Sequence, residues 1–316
     1  MSAVNNRRAR ALTALTALLL ICAISAAPPK PAPGTSMQYS DPRAEIIVRD
    51  VPYVPTMPDN PKLRLDIYSN PHDEPWPTLV MIHGGGWVKG TKDYENKVWN
   101  CKVAANHGYV VFSIDYRLVP EVSIKEQAED AMAAVIWVKQ HAKEYGGDPE
   151  RIGVMGGSAG GHLALLVAWA SDDPYFHPTG YDGPLDSDVR AAAVYYPVVD
   201  VDATLIKNGA RFLGPLAHLL FYRKLGRQFR EMDDHLSPIH HLDENCVPTL
   251  FLTGDADELG LYPQSVDAVN KLKVMGVDAE LFTAHGMKHG FTWYWNDPQA
   301  IESSIAVVKW FDKYLK

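Results

Sequence analysis

A run of small residues, Gly156-Gly157-Ser158-Ala159-Gly160-Gly161, follows the short apolar segment Ile152 to Met155 and precedes an apolar helical pattern from His162 to Ala170. That order predicts a strand, a turn too tight for bulky side chains, and a helix. The chain entering and leaving so sharp a turn nearly touches itself, so the flanking positions must be Gly or Ala. Positions 156, 157, 159, 160 and 161 all are. A serine at the apex has its hydroxyl held clear of its own backbone and open to a carbonyl. Taken alone, the stretch also fits a Gly-rich turn with an incidental serine.

A second segment adds the other half of one chemistry. Thr78-Leu79-Val80-Met81-Ile82 reads as a buried strand that runs into His83-Gly84-Gly85-Gly86-Trp87. Acyl transfer needs hydrogen-bond donors aimed at the oxygen that turns negative in the tetrahedral intermediate. Three successive glycines let the main chain approach a substrate carbonyl closely. The N–H groups of Gly84 and Gly85, with that of Ala159 just after the serine, are the candidate donors. A phosphate-binding loop is disfavoured, because no Lys-Ser/Thr pair follows and the spacing fits neither nucleotide fingerprint.

Around these segments, apolar and β-branched runs predict strands near 45–51, 62–68, 78–83, 109–115, 151–155, 190–196, 248–253 and 278–284. Helical periodicity fills the gaps, most clearly at 122–145, where Ile124, Ala128, Ala131, Val135 and Val138 share a face. The expectation is an α/β chain with a mostly parallel eight-stranded sheet, helices on both faces and the first two strands as an antiparallel edge. With 316 residues and 47% hydrophobic content, the chain can bury a large core as one domain.

The net charge of −8 argues against nucleic acid as a partner. Arg7, Arg8 and Arg10 precede an apolar stretch from Ala11 to Ala27, and Pro28-Pro29-Lys30-Pro31-Ala32-Pro33 follows. Residues 1–27 are therefore expected to be a signal peptide cleaved after Ala26 or Ala27, 28–43 a linker, and 44–316 the folded domain. A secreted or periplasmic protein follows from that, with an uncleaved anchor as the alternative. No stable membrane insertion is expected, since Thr13, Thr16 and Ser25 dilute the apolar run. Cys101 and Cys246 remain, either as a bridge or as two buried thiols.

The chain resembles the α/β-hydrolase superfamily, in particular its hormone-sensitive-lipase-like and bacterial carboxylesterase branch, with related feruloyl and carbohydrate esterases and kynurenine formamidases. The resemblance rests on His83-Gly84-Gly85-Gly86-Trp87, Asp115-Tyr116-Arg117-Leu118, Gly156 through His162, Gly254-Asp255-Ala256-Asp257 and Lys288-His289-Gly290-Phe291, and covers roughly residues 45 to 315. It implies the α/β-hydrolase fold with a small helical cap, here the insertion at about 200–238 with Leu205, Ile206, Phe212 and Leu213 among its apolar residues. It further implies the chain order serine, acid, histidine, hence Ser158, Asp257 and His289. Asp255 is the second candidate acid, with Glu258 and Asp200 further behind, and His285 is expected to be structural or exposed. Lys288 stands where the family carries a small residue. His83 and His162 are expected as buried imidazoles bonded to main chain, and Asp115 and Arg117 as braces of the oxyanion loop.

Trp87, Phe291 and Trp293 are candidate pocket walls, with Tyr294 and Trp295 beside them. No cofactor is implied. No metal is implied either, since His240, His241 and Cys246 lack ligand spacing. The implied activity is hydrolysis of a small-molecule or polymer-linked carboxylic ester, short-chain or acetyl, through an acyl-enzyme. The alternatives are an amidase or formamidase, a carbohydrate acetyl or feruloyl esterase, and a non-catalytic hydrolase-like binding protein. Oligomeric state is not legible.

Overall fold

The carboxyl ends of five neighbouring parallel strands lie at one end of the sheet, and their registers decide what meets there. The computed structural model describes residues 45–178, 181, 185–204, 235–294 and 296–316. The expected signal and linker, Trp295 and most of the expected cap insertion lie outside the described residues. Eight strands form one sheet: β1 (Glu45–Pro52), β2 (Arg64–Ser69), β3 (Trp76–Ile82), β4 (Val110–Ile114), β5 (Gly147–Gly157), β6 (Ala191–Tyr195), β7 (Thr249–Gly254) and β8 (Ala279–Ala284). Their order is β1-β2-β4-β3-β5-β6-β7-β8. β1 and β2 pair antiparallel, as do β2 and β4, and the remaining pairs are parallel.

Strand β5 is longer than its apolar run, because Gly147 and Asp148 pair with Trp76 and Pro77 before a register shift. The helix expected over 122–145 divides into a regular helix and a tighter turn. Helix α1 spans Glu95–Asn106, α2 Ile124–His141, α3 Ala159–Trp169, α4 Leu261–Val274 and α5 Pro298–Leu315. Helix α2 starts at a capping box, with Ser123 and Glu126 each bonding the other's backbone N–H, and its last residues tighten into a 3-10 turn, Ala142–Tyr145. Every residue of α3 is buried, as its apolar composition all round requires.

The two faces of the sheet can be told apart along β5. A Cβ on Gly153 would strike Phe311 of α5, whereas one on Gly156 would strike the Gly160 carbonyl of α3. An odd separation along a strand puts the two positions on opposite faces, so α3 and α5 cover opposite sides of the sheet. Among the described residues no helix is long and apolar enough to cross a membrane.

Register brings the functional loops level. Ile82 of β3 pairs with Gly156 of β5, so the glycine loop and the serine turn leave the sheet side by side. Gly157 pairs with Tyr195, and Gly254 with Ala284, which sets the two loops after β7 and β8 at one height. Open α/β sheets bind ligands beyond such carboxyl ends.

Candidate active site

Ser158 sits at φ +58° and ψ −122°, a conformation that L-residues rarely adopt. The surroundings hold it there: its N–H donates to the Tyr195 carbonyl at 2.9 Å, and its carbonyl accepts the His162 N–H at 2.9 Å. The crossing is possible only without side chains, since a Cβ on Gly156 would lie 2.3 Å from the Gly160 carbonyl. The hydroxyl is thus presented at the start of α3 by stored backbone strain. Ala159 is the first residue of that helix, so its N–H has no acceptor within the helix.

The glycine loop comes close on the other side. The Cβ position of Gly84 lies 3.3 Å from the Ser158 Cβ, and Gly85 adopts φ +137°, a conformation only glycine takes easily. A dense set of braces fixes this loop. His83 Nδ1 donates to the Gly84 carbonyl at 2.9 Å, and Tyr116 donates its hydroxyl hydrogen to the His83 carbonyl at 2.9 Å. The His83 ring stacks on Tyr116 at 4.3 Å, and burial pushes the imidazole down to about 3, so it stays neutral. Asp115 accepts the Lys92 N–H at 2.7 Å, and the Lys92 ammonium lies between Asp50 at 2.9 Å and Asp66 at 3.2 Å. Arg117 makes a two-pronged pair with Asp130 on α2, at 2.9 and 2.6 Å. Asp115 and Arg117 therefore anchor the loop and its neighbouring strand.

Trp87 and His162 join the glycine loop to the serine turn. The indole N–H of Trp87 donates to His162 Nδ1 at 3.2 Å. An indole only donates, so Nδ1 is the acceptor and Nε2 carries the proton, which goes to the Leu236 carbonyl at 2.7 Å. Burial pushes His162 down to about 4, in keeping with that neutral form. Trp87 at φ +64° turns its ring inward and is 1% exposed. The expectation of a pocket wall is thus corrected: Trp87 braces the loop from within. Phe291 is corrected in the same way. It is 0% exposed in the short 3-10 turn Phe291–Trp293, packed on Tyr195 and Tyr196. Trp293 is half-buried and meets Tyr94 edge to face at 5.1 Å.

The third part comes from the loops after β7 and β8. His289 Nε2 lies 3.0 Å from Ser158 Oγ, and His289 Nδ1 lies 2.9 Å from Asp257 Oδ2. An ionised carboxylate only accepts, so Nδ1 carries the proton and the Nε2 lone pair faces the hydroxyl. Asp257 has no exposed side-chain surface, and its other oxygen accepts the Leu259 N–H at 2.8 Å. Glu258 accepts the His289 backbone N–H at 3.2 Å, a support that no sequence pattern announces. The remaining acids go elsewhere. Asp255 pairs with the exposed His285 at 3.0 Å and takes the Gly286 N–H at 2.6 Å, while Asp200 caps a short turn through the Ala203 N–H at 2.6 Å. Lys288 is exposed and leaves this geometry undisturbed.

Cys101 and Cys246 are free buried thiols, pushed up by burial to about 12 and about 11. His241 turns its Nε2 to the His235 carbonyl at 2.7 Å. Chemically, the site unites a strained hydroxyl, a base held in the acceptor tautomer and a buried carboxylate, beside a closely packed glycine loop.

The BD-FAE family model matches residues 65–272, which include Ser158 and Asp257. The chain belongs to the BD-FAE family. It lies within the α/β-hydrolase esterases of the hormone-sensitive-lipase-like branch. Among its relatives in sequence is the versiconal hemiacetal acetate esterase of Dothistroma septosporum, 41% identical over 240 residues, which are 74% of this chain and 71% of that protein. The probable carboxylic ester hydrolase LipM of Mycobacterium tuberculosis is 34% identical over 66% of this chain and 49% of its own length. The chain thus spans about half the length of that mycobacterial relative. The butyrate-bound esterase 2 of Thermogutta terrifontis superposes with a TM-score of 0.68 at 26% identity, covering 84% of this chain and 92% of that one.

Proposed function

We propose that the protein is a serine hydrolase of short-chain or acetyl carboxylic esters. The observation that carries this reading is the unbroken chain from Asp257 through His289 to Ser158, at 2.9 and 3.0 Å, on a strained serine turn. Ser158 Oγ adds to the ester carbonyl while its proton passes to His289 Nε2, and Asp257 supports the imidazolium that forms. The N–H groups of Gly84, Gly85 and Ala159 receive the oxyanion. The C–O bond to the alcohol then breaks, and the alkoxide leaves with the proton from Nε2. Water, giving a proton back to His289, attacks the acyl-serine and releases the acid, and the proton returns to Ser158.

A small acyl group is supported by a relative that is named for an acetate ester and by another, from Pseudomonas putida, that is named an ethyl acetate hydrolase. The basic and then apolar residues 7–27 support export to the periplasm or medium. Turnover of p-nitrophenyl acetate and butyrate tests the reading. Ser158→Ala is expected to lose on the order of 10⁴ to 10⁶ in kcat; a variant that keeps the wild-type rate refutes it. Matched p-nitroanilides distinguish amide from ester preference.

A further inference from the structure

The two nitrogens of His289 are bonded to Ser158 and Asp257, but bonds in the plane of a ring leave its tilt free. Tyr196 stands against that ring. It follows β6 at φ +37°, a costly conformation for a residue with a Cβ, and its N–H is tied to the Leu252 carbonyl at 2.8 Å. The phenol ring meets the His289 imidazole at 4.8 Å between centroids, inclined by 66°. Its hydroxyl lies 2.5 Å from Thr292 Oγ1, on the loop that carries His289. Asn96 of α1 donates from Nδ2 to the same Thr292 oxygen at 3.0 Å. All three residues are buried, and Asn96 Oδ1 has no hydrogen-bond partner among the described residues.

Packing alone does not account for this arrangement. Phe at 196 and Val at 292 would fill nearly the same space without burying two hydroxyls and an amide, which is costly wherever a polar group goes unpaired. Backbone strain and a buried polar chain both converge on the one side chain that must face first the serine hydroxyl and then the leaving oxygen.

We propose that Tyr196 is a positioning residue for His289: its ring fixes the tilt of the imidazole, and its hydroxyl, through Thr292 and Asn96, pins the loop. The assignment rests on the esterase reading above. Small errors in the aim of a base cost rate rather than binding. Tyr196→Phe and Thr292→Val each break the same tether. Each is expected to lower kcat for p-nitrophenyl butyrate by roughly 5- to 20-fold, with KM within about twofold. Because Thr292→Val already removes the partner of the Tyr196 hydroxyl, the double variant is expected to be no slower than Thr292→Val alone. Thr292→Ser, which restores a hydroxyl, is expected to return kcat to within about twofold of wild type. The far-downfield proton resonance of the His289 Nδ1–H is expected to broaden in Tyr196→Phe, and this reads alignment without turnover. Thermal midpoints show that each variant is folded, and Thr292→Val carries the test should Tyr196→Phe not fold.

Two active single variants at the wild-type kcat, or losses that multiply in the double variant, overturn the tether and leave the esterase reading standing. A wild-type protein that neither turns over the ester nor reacts with a fluorophosphonate overturns the esterase reading and the tether with it.

Discussion

Two aspartate–histidine pairs lie within one stretch of this chain, with almost the same bond. Asp257 and His289 are 2.9 Å apart, and Asp255 and His285 are 3.0 Å apart. In the first pair the histidine side chain is 7% exposed and the carboxylate fully covered; in the second the histidine is 81% exposed. Water screens the second pair, so its attraction contributes little. Burial makes the first pair directional, and a third group, the Ser158 hydroxyl, waits on the opposite nitrogen. The difference teaches that a short distance between an acid and a base does not make a relay. Exclusion of water and a partner at the far nitrogen do.

The largest expected effect separates the two pairs directly. Asp257→Asn is expected to lower kcat on p-nitrophenyl butyrate by about 10⁴-fold, because the amide favours the wrong tautomer of His289. Asp255→Asn is expected to change it by less than about twofold, as for a screened surface pair. Reversed magnitudes would assign the acid to Asp255.

Lys97 tests the claim that burial sets the behaviour of charged groups here. It lies under the serine turn, where a Cβ on Gly157 would sit 2.8 Å from its ammonium, and burial pushes it down to about 8. Among the described residues it has no salt-bridge partner. The unfolded chain keeps that proton until its ordinary value of 10.5, so the penalty on the fold is full below about pH 8 and fades as pH rises from there to 10.5. Lys97→Met is therefore expected to stabilise the fold by about 3 kcal/mol at pH 7, with the gain shrinking towards pH 10, in urea unfolding. An unchanged or lower stability at pH 7 would contradict this.

A third effect, smaller at neutral pH, concerns the neutral His162 between Trp87 and Leu236. The unfolded imidazole takes up its proton near 6.5 and the buried one only near 4. More protons are bound in the unfolded chain through that window, so stability is complete above pH 6.5 and is lost as pH falls towards 4. Thermal midpoints measured from pH 7 to pH 4.5 are expected to fall, and His162→Gln, which keeps one acceptor and one donor but no titration, is expected to fall less. The smallest effect is expected for His285→Ala, with kcat and thermal midpoint both near wild type, since its pair is exposed.

The sheet was legible because each strand carries its own apolar run, and the strands around the site begin and end within a few residues of those runs. The serine turn and the glycine loop were legible for a similar reason: close backbone approach leaves its mark as Gly and Ala at fixed spacing. What escaped was set by side chains distant in sequence. Trp87 and Phe291 read as pocket walls because an aromatic residue near a catalytic loop carries no mark of which way it turns. Their bonds to His162 and packing on Tyr195 and Tyr196 decide that. The support of His289 by Glu258 and its contact with Tyr196 likewise depend on the fold of three separate loops.

The central claim is that Ser158, His289 and Asp257 act as one relay. Labelling with a fluorophosphonate, followed by mass spectrometry of the peptides, tests it most directly. A single adduct on the peptide that holds Ser158 is expected, forming at least about 10³-fold more slowly in His289→Ala. An adduct on another residue, or an undiminished rate without His289, would contradict it.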